Sequence, residues 1–285
     1  MIGSNDKQYV GFRRFMHYIF QYPFRKIAKK FLNFDAVNKT AKDILTEVGK
    51  GYSMDVLRQV ISLAYLNDKK VVREGGTSCV IGDGYATMSS LLLKNKRQRV
   101  VLVNLSKTLW IDLWHLKLLL KGKFSTDVTL VTSEDSILRF LSETKDKPSV
   151  IAIEAKNHQL LQFCPLDLII NIASMQEMNP EVIEEYFIDM SSAAKHNSSV
   201  FYCCNRGYKT LPDGTMLSFK DYPWHFSSQI LEDEICPWYK KYYNTKLPFL
   251  SQLRCYSTQI GKVFINNELS LLYCIFFGGI NALYK

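Results

Sequence analysis

Residues 79–89 read Cys-Val-Ile-Gly-Asp-Gly-Tyr-Ala-Thr-Met-Ser. A short apolar run enters the turn Gly82-Asp83-Gly84-Tyr85-Ala86, and a helical pattern follows it. Glycine lets the backbone turn sharply and approach a ligand, and the first turn of the new helix presents unbonded N–H groups. In doubly wound folds, nucleotide-like ligands lie at such a turn after the first strand. We therefore expect residues 82–86 to bind a ligand; the alternative is a tight turn that binds nothing.

Apolar runs and helical patterns alternate from this turn onward. Continuous apolar runs are typical of strands that are buried on both faces of a sheet. The alternation predicts an α/β fold with a doubly wound, mostly parallel sheet. The predicted strands are 77–82, 99–104, 127–131, 149–153, 166–172 and 199–204, and the helices between them are 86–93, 108–120, 134–141 and 181–194.

A helical extension precedes the predicted sheet. Residues 38–47 and 53–66 have helical patterns, and residues 8–34 interleave aromatic with basic side chains. Pro23 lies in that segment and is expected to break or restart a helix. We divide the chain into an N-terminal helical extension, residues 1–70, and an α/β domain, residues 71–285.

The net charge of +9 is concentrated at the start of the chain. Residues 1–34 hold seven basic residues against one acidic residue, so this segment carries +6 of the total. A basic excess favours an anionic partner, such as a membrane surface, nucleic acid or a phosphorylated substrate. For this segment three interpretations remain open: a membrane-surface element, a lid or dimer element, and a cap that packs on the sheet.

Two cofactors compete for the glycine turn. A dinucleotide fingerprint places a third glycine where this chain has Thr87. S-adenosylmethionine (SAM) enzymes use a shorter G-x-G-x-G/A turn, which Gly82, Gly84 and Ala86 match. Both classes favour an acid at the end of the second strand, where this chain has Asn104. Asparagine can still bond a ribose hydroxyl, without the help of a charge.

Three later segments carry a resemblance to a known family. They are Asn171-Ile-Ala-Ser-Met-Gln-Glu-Met178, then Phe201-Tyr-Cys-Cys-Asn-Arg206 with Lys209 and the Leu-Pro-Asp-Gly that ends at Gly214, and then Tyr222-Pro-Trp224 with Ile235-Cys-Pro-Trp238. Together with the glycine turn, residues 75–245 resemble a family of SAM-dependent sugar O-methyltransferases associated with bacterial surface polysaccharides. The resemblance implies that residues 71–285 form a SAM-dependent methyltransferase domain. It also implies two antiparallel strands after the fifth, to which we assign residues 253–265. Relative to that sheet, this chain carries an extra strand–helix pair at 127–141, between the usual second and third strands.

The resemblance also implies the members of the site. The residues expected at the cofactor, besides the glycine turn and Asn104, are Leu105, Glu154, Ala155, Asn171, Ile172 and Ala173. Those expected at the substrate are Ser174, Asn205, Arg206, Tyr222 and Trp224.

Methyl transfer to a hydroxyl requires in-line alignment and is helped by a base. We expect Glu177 and His225 to be catalytic. Glu177 has the alternative of a helix-capping acid, His225 that of a surface or core histidine, and Arg206 that of a surface ion-pair partner.

The expected reaction is methyl transfer from SAM to a hydroxyl of a sugar or glycan precursor. The alternatives are another small acceptor, an inactive SAM-fold binding or scaffold protein, and a nucleic-acid-binding protein, although no nucleic-acid recognition motif is present. No metal is expected. A peripheral membrane contact through residues 8–34 and a homo-oligomer remain open.

Several expectations concern other parts of the chain. The cysteine spacing has no zinc pattern, so reduced thiols and a cytoplasmic location, with membrane association at the inner face open, are expected. Cys203 and Cys204 are expected to be inert thiols. On the helix 108–120 we expect Trp110 and Trp114 in the core, and Asp112 and His115 facing solvent.

Overall fold

The computed structural model describes residues 11–144, 147–194, 199–224, 229–236, 242–243, 250–251 and 259–266. The α-helices of this part of the chain are α1 (Gly11–Ala28), α2 (Phe34–Glu47), α3 (Met54–Asp68), α4 (Thr87–Lys96), α5 (Ser106–Leu120), α6 (Phe124–Asp127), α7 (Glu134–Glu143) and α8 (Pro180–Ala194). The strands are β1 (Thr77–Ile81), β2 (Arg99–Asn104), β3 (Val128–Val131), β4 (Ser149–Glu154), β5 (Leu168–Ile172), β6 (Ser199–Arg206), β7 (Tyr208–Thr210), β8 (Met216–Ser218), β9 (Gln229–Ile235), β10 (Tyr242–Tyr243), β11 (Leu250–Ser251) and β12 (Gln259–Asn266).

Eight of these strands form one sheet in the order β3-β4-β2-β1-β5-β6-β12-β9. The pairs from β3 to β6 are all parallel, whereas β12 is antiparallel to both β6 and β9. The prediction of an α/β fold with a mostly parallel sheet is therefore confirmed. The extra pair is also present, because β3 lies at the edge beside β4 and is followed by α7.

Alternating side chains of the strands enter two hydrophobic layers, one on each face of the sheet. In β1, Val80 joins the layer formed with the first five helices, while Ile81 joins the layer formed with α7 and α8. Leu102 and Val103 of β2 divide in the same way. Because both faces are covered, apolar residues follow one another in the centres of these strands, as expected of a doubly wound sheet.

The late strands differ from their expected positions. They are β9 and β12, at residues 229–235 and 259–266, rather than within 253–265. Only β12 runs against the other strands, since β9 is antiparallel to β12 and therefore runs in the direction of β6. A small hairpin of β7 and β8, which the sequence did not indicate, follows β6 directly.

The expected break at Pro23 was wrong, because α1 continues through it. Proline removes one backbone hydrogen bond, that to the carbonyl of Ile19, and Ile19 lies on the exposed side of the helix. Phe20 and Phe24 are buried on the other side and hold both halves of α1 against the core. No helix in the described ranges is long and apolar enough to cross a membrane.

The cysteines differ in part from expectation. Cys79, Cys164 and Cys203 are buried and are not in a disulfide, and burial raises the pKa of the Cys164 thiol to about 12. Cys204 of β6 is instead joined by a disulfide to Cys236, directly after β9, so the expectation of a free thiol at Cys204 was wrong.

Candidate cofactor and substrate site

The glycine turn lies at the point in the sheet where the order of the strands changes direction. β1 lies between β2, which follows it in the chain, and β5, which begins the other half of the sheet. In open α/β sheets such a switch point leaves a crevice at the carboxyl ends of the strands, where ligands bind. Residues 82–86 follow β1 at this position, and the ends of β2, β4, β5 and β6 surround it.

Gly82 is required by a close contact with the segment after β5. Its φ is +75°, and its N–H donates to the carbonyl of Val103 at 2.8 Å. A Cβ atom at this position would lie 2.3 Å from Oγ of Ser174. Ser174 is held there because its hydroxyl donates to the carbonyl of Ile81 at 2.9 Å. A side chain at residue 82 would therefore separate the two loops.

Gly84 is different, because it faces open space. Its φ is +58°, and no atom lies within 4 Å of the position that a Cβ would take. Tyr85 and Ala86 continue the left-handed path with φ values of +76° and +47°. Gly84 faces open space, so a ligand can approach the backbone closely at this residue, whereas Ala86 is buried.

Asp83 caps the helix that follows the turn. Its buried carboxylate accepts hydrogen bonds from the N–H groups of Met88 at 2.9 Å and Ser89 at 2.7 Å. Burial raises the pKa of Asp83, and the hydrogen bonds from these amides oppose the shift. The anion-binding end of α4 is therefore occupied by a carboxylate of the chain itself.

A second buried carboxylate, that of Asp112 on α5, supports the other end of the turn. Its Oδ1 accepts from the N–H of Ala86 at 2.7 Å, and its Oδ2 accepts from the side-chain amide of Asn104 at 2.8 Å. Burial, reinforced by the charge of Asp83, raises the pKa of Asp112 to about 7. The amide of Asn104 is thus committed to Asp112, and its Oδ1 accepts from the N–H of Leu105 at 2.9 Å.

The structure reverses the expected faces of α5. Asp112 and His115 are buried, whereas Trp110 and Trp114 are 67% and 59% exposed. The leucines of this helix recur at 109, 113, 116 and 119 and face the core. Asp112 lies one turn from two of them and enters the same buried stripe. The spacing of Asp112 relative to these leucines could have predicted that its side chain is buried.

Leu105, Glu154 and Ala155 form the outer side of the site, after β2 and β4. Leu105 is 68% exposed, and Ala155 is half-buried. Glu154 is paired with Asn104 in the register of the two strands. Its carboxylate accepts from the Ser106 hydroxyl and from the ammonium group of Lys156, and these hydrogen bonds, with that to Lys156 the larger, lower the pKa of Glu154.

Tyr85 points to the opposite side, toward the helical extension. Its ring meets the ring of His115 edge-on at 4.9 Å, and Nζ of Lys50 lies 5.9 Å from its centre. All three residues line a cleft that Ile44 and Val56 close from the extension. The glycine turn thus separates this cleft from the carboxyl edge of the sheet.

Two buried asparagines link β5 to β6 beside the turn. Asn171 donates to the carbonyl of Ile81 at 3.1 Å, and Asn205 donates to Oδ1 of Asn171 at 2.8 Å. Ile172 is buried, and Ala173 adopts a left-handed φ of +62° while its N–H donates to the carbonyl of Cys204 at 2.8 Å. These bonds fix the segment that carries Ser174 and Glu177.

Glu177 and Arg206 lie at the exposed ends of this network. The Glu177 side chain is 65% exposed, and one of its oxygens accepts from Nζ of Lys209 on β7 at 3.0 Å. The side chain of Arg206 is exposed, while its N–H donates to the side chain of Gln176 at 2.9 Å. The structure therefore brings Glu177, Arg206 and Lys209 to one edge. His225 lies outside the described residues.

Tyr222 and Trp224 lie in an aromatic cluster. Their rings stack at 5.8 Å, and Trp224 meets Phe187 of α8 edge-on at 5.1 Å. Its indole N–H donates to the carbonyl of Phe219 at 2.9 Å. Tyr222 is buried, which raises the pKa of its hydroxyl, and Trp224 is half-buried. Both residues are held rigidly, and their contact with a substrate stays a prediction.

No family model and no curated protein sequence matches this chain. Among solved structures, it is similar to a Leishmania major SAM-dependent methyltransferase at 10% identity and a TM-score of 0.36, over 70% of this chain and 74% of that one. It is similar to Pyrococcus horikoshii TYW2 in complex with MeSAdo at 10% identity and a TM-score of 0.38, over 69% and 59%. A Galdieria sulphuraria protein assigned as a sarcosine dimethylglycine methyltransferase aligns at 10% identity and a TM-score of 0.43, over 74% and 88%. At these identities and TM-scores, the ligands of the three proteins say nothing about what this chain binds.

Proposed function

We propose that this chain is a SAM-dependent methyltransferase whose acceptor is a hydroxyl of a sugar or glycan precursor. The observation that carries the cofactor assignment is the pair of buried carboxylates, Asp83 and Asp112, beneath an open glycine turn at the switch point of the sheet. A sugar acceptor is supported only by the resemblance of residues 75–245, and another small acceptor is equally compatible with the site.

The two buried aspartates disfavour a pyrophosphate at this turn. A dinucleotide places its pyrophosphate at the helix N-terminus after the turn, where amide groups receive it. Here Asp83 already accepts from those amides, and Asp112 accepts from Ala86. A pyrophosphate would therefore find these amide donors already occupied by side chains of the protein.

The strand order gives independent support. The dinucleotide-binding order adds its strands outward in succession as 3-2-1-4-5-6. In this chain the last strand, β12, is inserted antiparallel between β6 and β9 instead. This departure agrees with one of the two antiparallel strands that the resemblance to methyltransferases implies, since β12 is antiparallel and β9 runs in the direction of β6.

The residues of the site fit SAM in the following way. Gly84 leaves space for close approach, the exposed Leu105 can cover one face of an adenine, and Glu154 and Ala155 end the neighbouring strand. SAM, when bound, supplies an electrophilic methyl group. Glu177 is the proposed base, since it is an exposed carboxylate at the carboxyl ends of β5 and β6. Arg206 and Lys209 are the proposed cationic contacts for a sugar or its phosphate.

Calorimetric titration of the full chain with SAM, S-adenosylhomocysteine and NAD tests the cofactor. We expect the two SAM-type ligands to bind with a Kd below a millimolar and NAD not to bind. Gly84→Asp should abolish binding, because a carboxylate would fill the open approach to the turn. Absence of SAM binding by the unsubstituted chain, or equal binding of NAD, would overturn the assignment.

A methyl-transfer assay against sugar and small-alcohol acceptors tests the base. Glu177→Gln should lower turnover by about 100-fold, within the usual effect of a general base, without weakening SAM. Glu181→Gln, an exposed acid in the first turn of α8, is the matched control and should leave turnover unchanged. Full activity of Glu177→Gln would remove Glu177 as the base, and the same comparison with His225→Ala tests the second candidate.

A further inference from the structure

α1 has two apolar faces, of which only one is used by the fold. The inner face carries Phe20, Phe24 and Ala28, which are buried in the core with the sheet. The helix is fixed by polar bonds as well, because Gln21 donates to the carbonyl of Tyr52 at 3.4 Å and Arg25 donates to Oδ1 of Asn38 at 3.1 Å. The orientation of the opposite face is therefore set.

That opposite face carries a stripe of exposed aromatic and aliphatic side chains. Phe12, Phe15, Ile19 and Tyr22 follow one another at intervals of three and four residues, with Tyr18 beside them. Phe12 is 76% exposed and Tyr22 is 59% exposed. Residues at this spacing lie on one side of a helix, so the exposed groups form a single continuous strip. Single exposed apolar residues are normal on a protein surface, whereas a contiguous strip of five large apolar side chains is typical of an interaction site.

The strip continues into basic residues at the carboxyl end of the helix. Lys26 lies four residues after Tyr22 on the same side, and Lys29 and Lys30 follow it, all exposed. Between residues 7 and 34 the sequence contains no acidic residue. The surface thus combines aromatic groups with positive charge and has no internal counter-charge along the segment.

We infer that the outer face of α1 docks onto an anionic phospholipid surface. Aromatic side chains favour the boundary between headgroups and acyl chains, and basic residues are attracted to anionic headgroups. A second copy of the chain is disfavoured as the occupant, because it would bring an equally basic helix against the first. Docking would place the protein at a membrane without altering the glycine turn, which lies after β1 and outside α1.

Vesicle flotation of the full chain tests this inference. We expect flotation with phosphatidylcholine vesicles that contain about 30% phosphatidylserine, and much weaker flotation with phosphatidylcholine alone. Replacing Lys26, Lys29 and Lys30 with glutamine should lower the partition coefficient by about 100-fold, at about fivefold per basic residue. Phe15→Ser with Tyr22→Ser should lower it by about tenfold or more. About 0.5 M salt should weaken binding of the unsubstituted chain.

The exposed face of α5 supplies matched controls. It also carries two exposed tryptophans and exposed lysines at 107 and 117, and the exposed Lys121 follows directly after the helix. Lys107→Gln with Lys117→Gln and Lys121→Gln, and separately Trp110→Ser with Trp114→Ser, should leave flotation unchanged. Melting curves establish that each variant is folded.

Absence of flotation with phosphatidylserine overturns the inference, as does flotation that the α1 substitutions leave unchanged or that the α5 substitutions reduce equally. A dimer in sedimentation that the Phe15 and Tyr22 substitutions dissolve would assign the face to a second copy instead. Failure of SAM binding would not bear on these outcomes, because the flotation readout does not involve the cofactor.

Discussion

Gly82 and Ser174 show how one missing side chain joins two halves of the sheet. The turn after β1 can lie against the segment after β5 only because residue 82 has no Cβ. A glycine motif read from sequence suggests a ligand as the reason for the glycine, yet at this position the nearest neighbour is a serine of the same chain. At Gly84, which faces open space, the reason for a small residue is the approach of a ligand.

Gly82→Ala is therefore expected to destabilise the protein by about 1–3 kcal/mol and to weaken SAM binding at least tenfold, because the new Cβ would overlap Ser174. Adding Ser174→Gly should recover part of the melting temperature, since it removes the overlapping atoms, while the strain of the positive φ remains. Thermal melting and SAM titration of the single and double variants measure this. A double variant no more stable than Gly82→Ala would contradict the steric explanation.

Asp112 gives a prediction in the pH dependence of stability. Its pKa in the folded state is about 7, above the value near 3.9 of an unfolded aspartate, so the folded state binds more protons between these values. The contribution of Asp112 to the free energy of unfolding is therefore greatest below about pH 4, and it is lost as the pH rises through about 7. Asp112→Asn has no such titration, and it also replaces an acceptor of the Ala86 amide.

We expect Asp112→Asn to be less stable than the parent at pH 5 and to lose less stability between pH 5 and pH 8, by on the order of 2 kcal/mol. Denaturant unfolding across this pH range measures the difference, with Glu181→Gln as an exposed acidic control. Parallel pH profiles of the parent and Asp112→Asn would contradict the assignment.

At the scale of elements, α5 and β9 mark the limits of sequence reasoning. The strands β1, β2, β4 and β5 were predictable because burial on both faces leaves them with runs of consecutive apolar residues. β9 contains Glu232, Asp233 and Glu234 and lies at the sheet edge, where charge discourages further pairing, so its sequence does not read as a strand. On α5 the tryptophans were expected inside, although the leucines already fill the buried stripe.

The disulfide between Cys204 and Cys236 ties β6 to the end of β9 across β12. A cross-link that closes a loop of 32 residues is worth about 3–4 kcal/mol of folding free energy. Reduction should therefore lower the melting temperature by several degrees. Cys203→Ala, which changes a cysteine next to the bridge that is not in a disulfide, should retain this sensitivity. Alkylation of the unfolded, unreduced chain checks the bridge, because cysteines in a disulfide do not react with the reagent. Alkylated peptides that carry Cys204 and Cys236 would contradict the bridge.

At the scale of the whole molecule, the fold class was predictable and most of the site network was not. The switch point follows from the alternation of strands and helices, and the glycine turn identifies which strand comes first. The contacts among Asp112, Asn104 and Ala86 join residues that are 8 and 26 positions apart, and no local pattern reports them. The concentration of positive charge in residues 1–34 was visible in the sequence. The exposed apolar strip on α1 was not, because it can be identified only once the buried side of the helix is known.

The position of β12 has a consequence for folding during synthesis. Residues 259–266 occupy the place between β6 and β9, although they leave the ribosome after both of them. A nascent chain can therefore form the parallel strands and their helices first, while the edge of β6 stays unpaired. During that interval β6 offers unpaired backbone groups to any other strand, which makes a stalled or truncated chain prone to aggregate. Completion of the sheet is the step that closes this edge, and it is a late and non-local one.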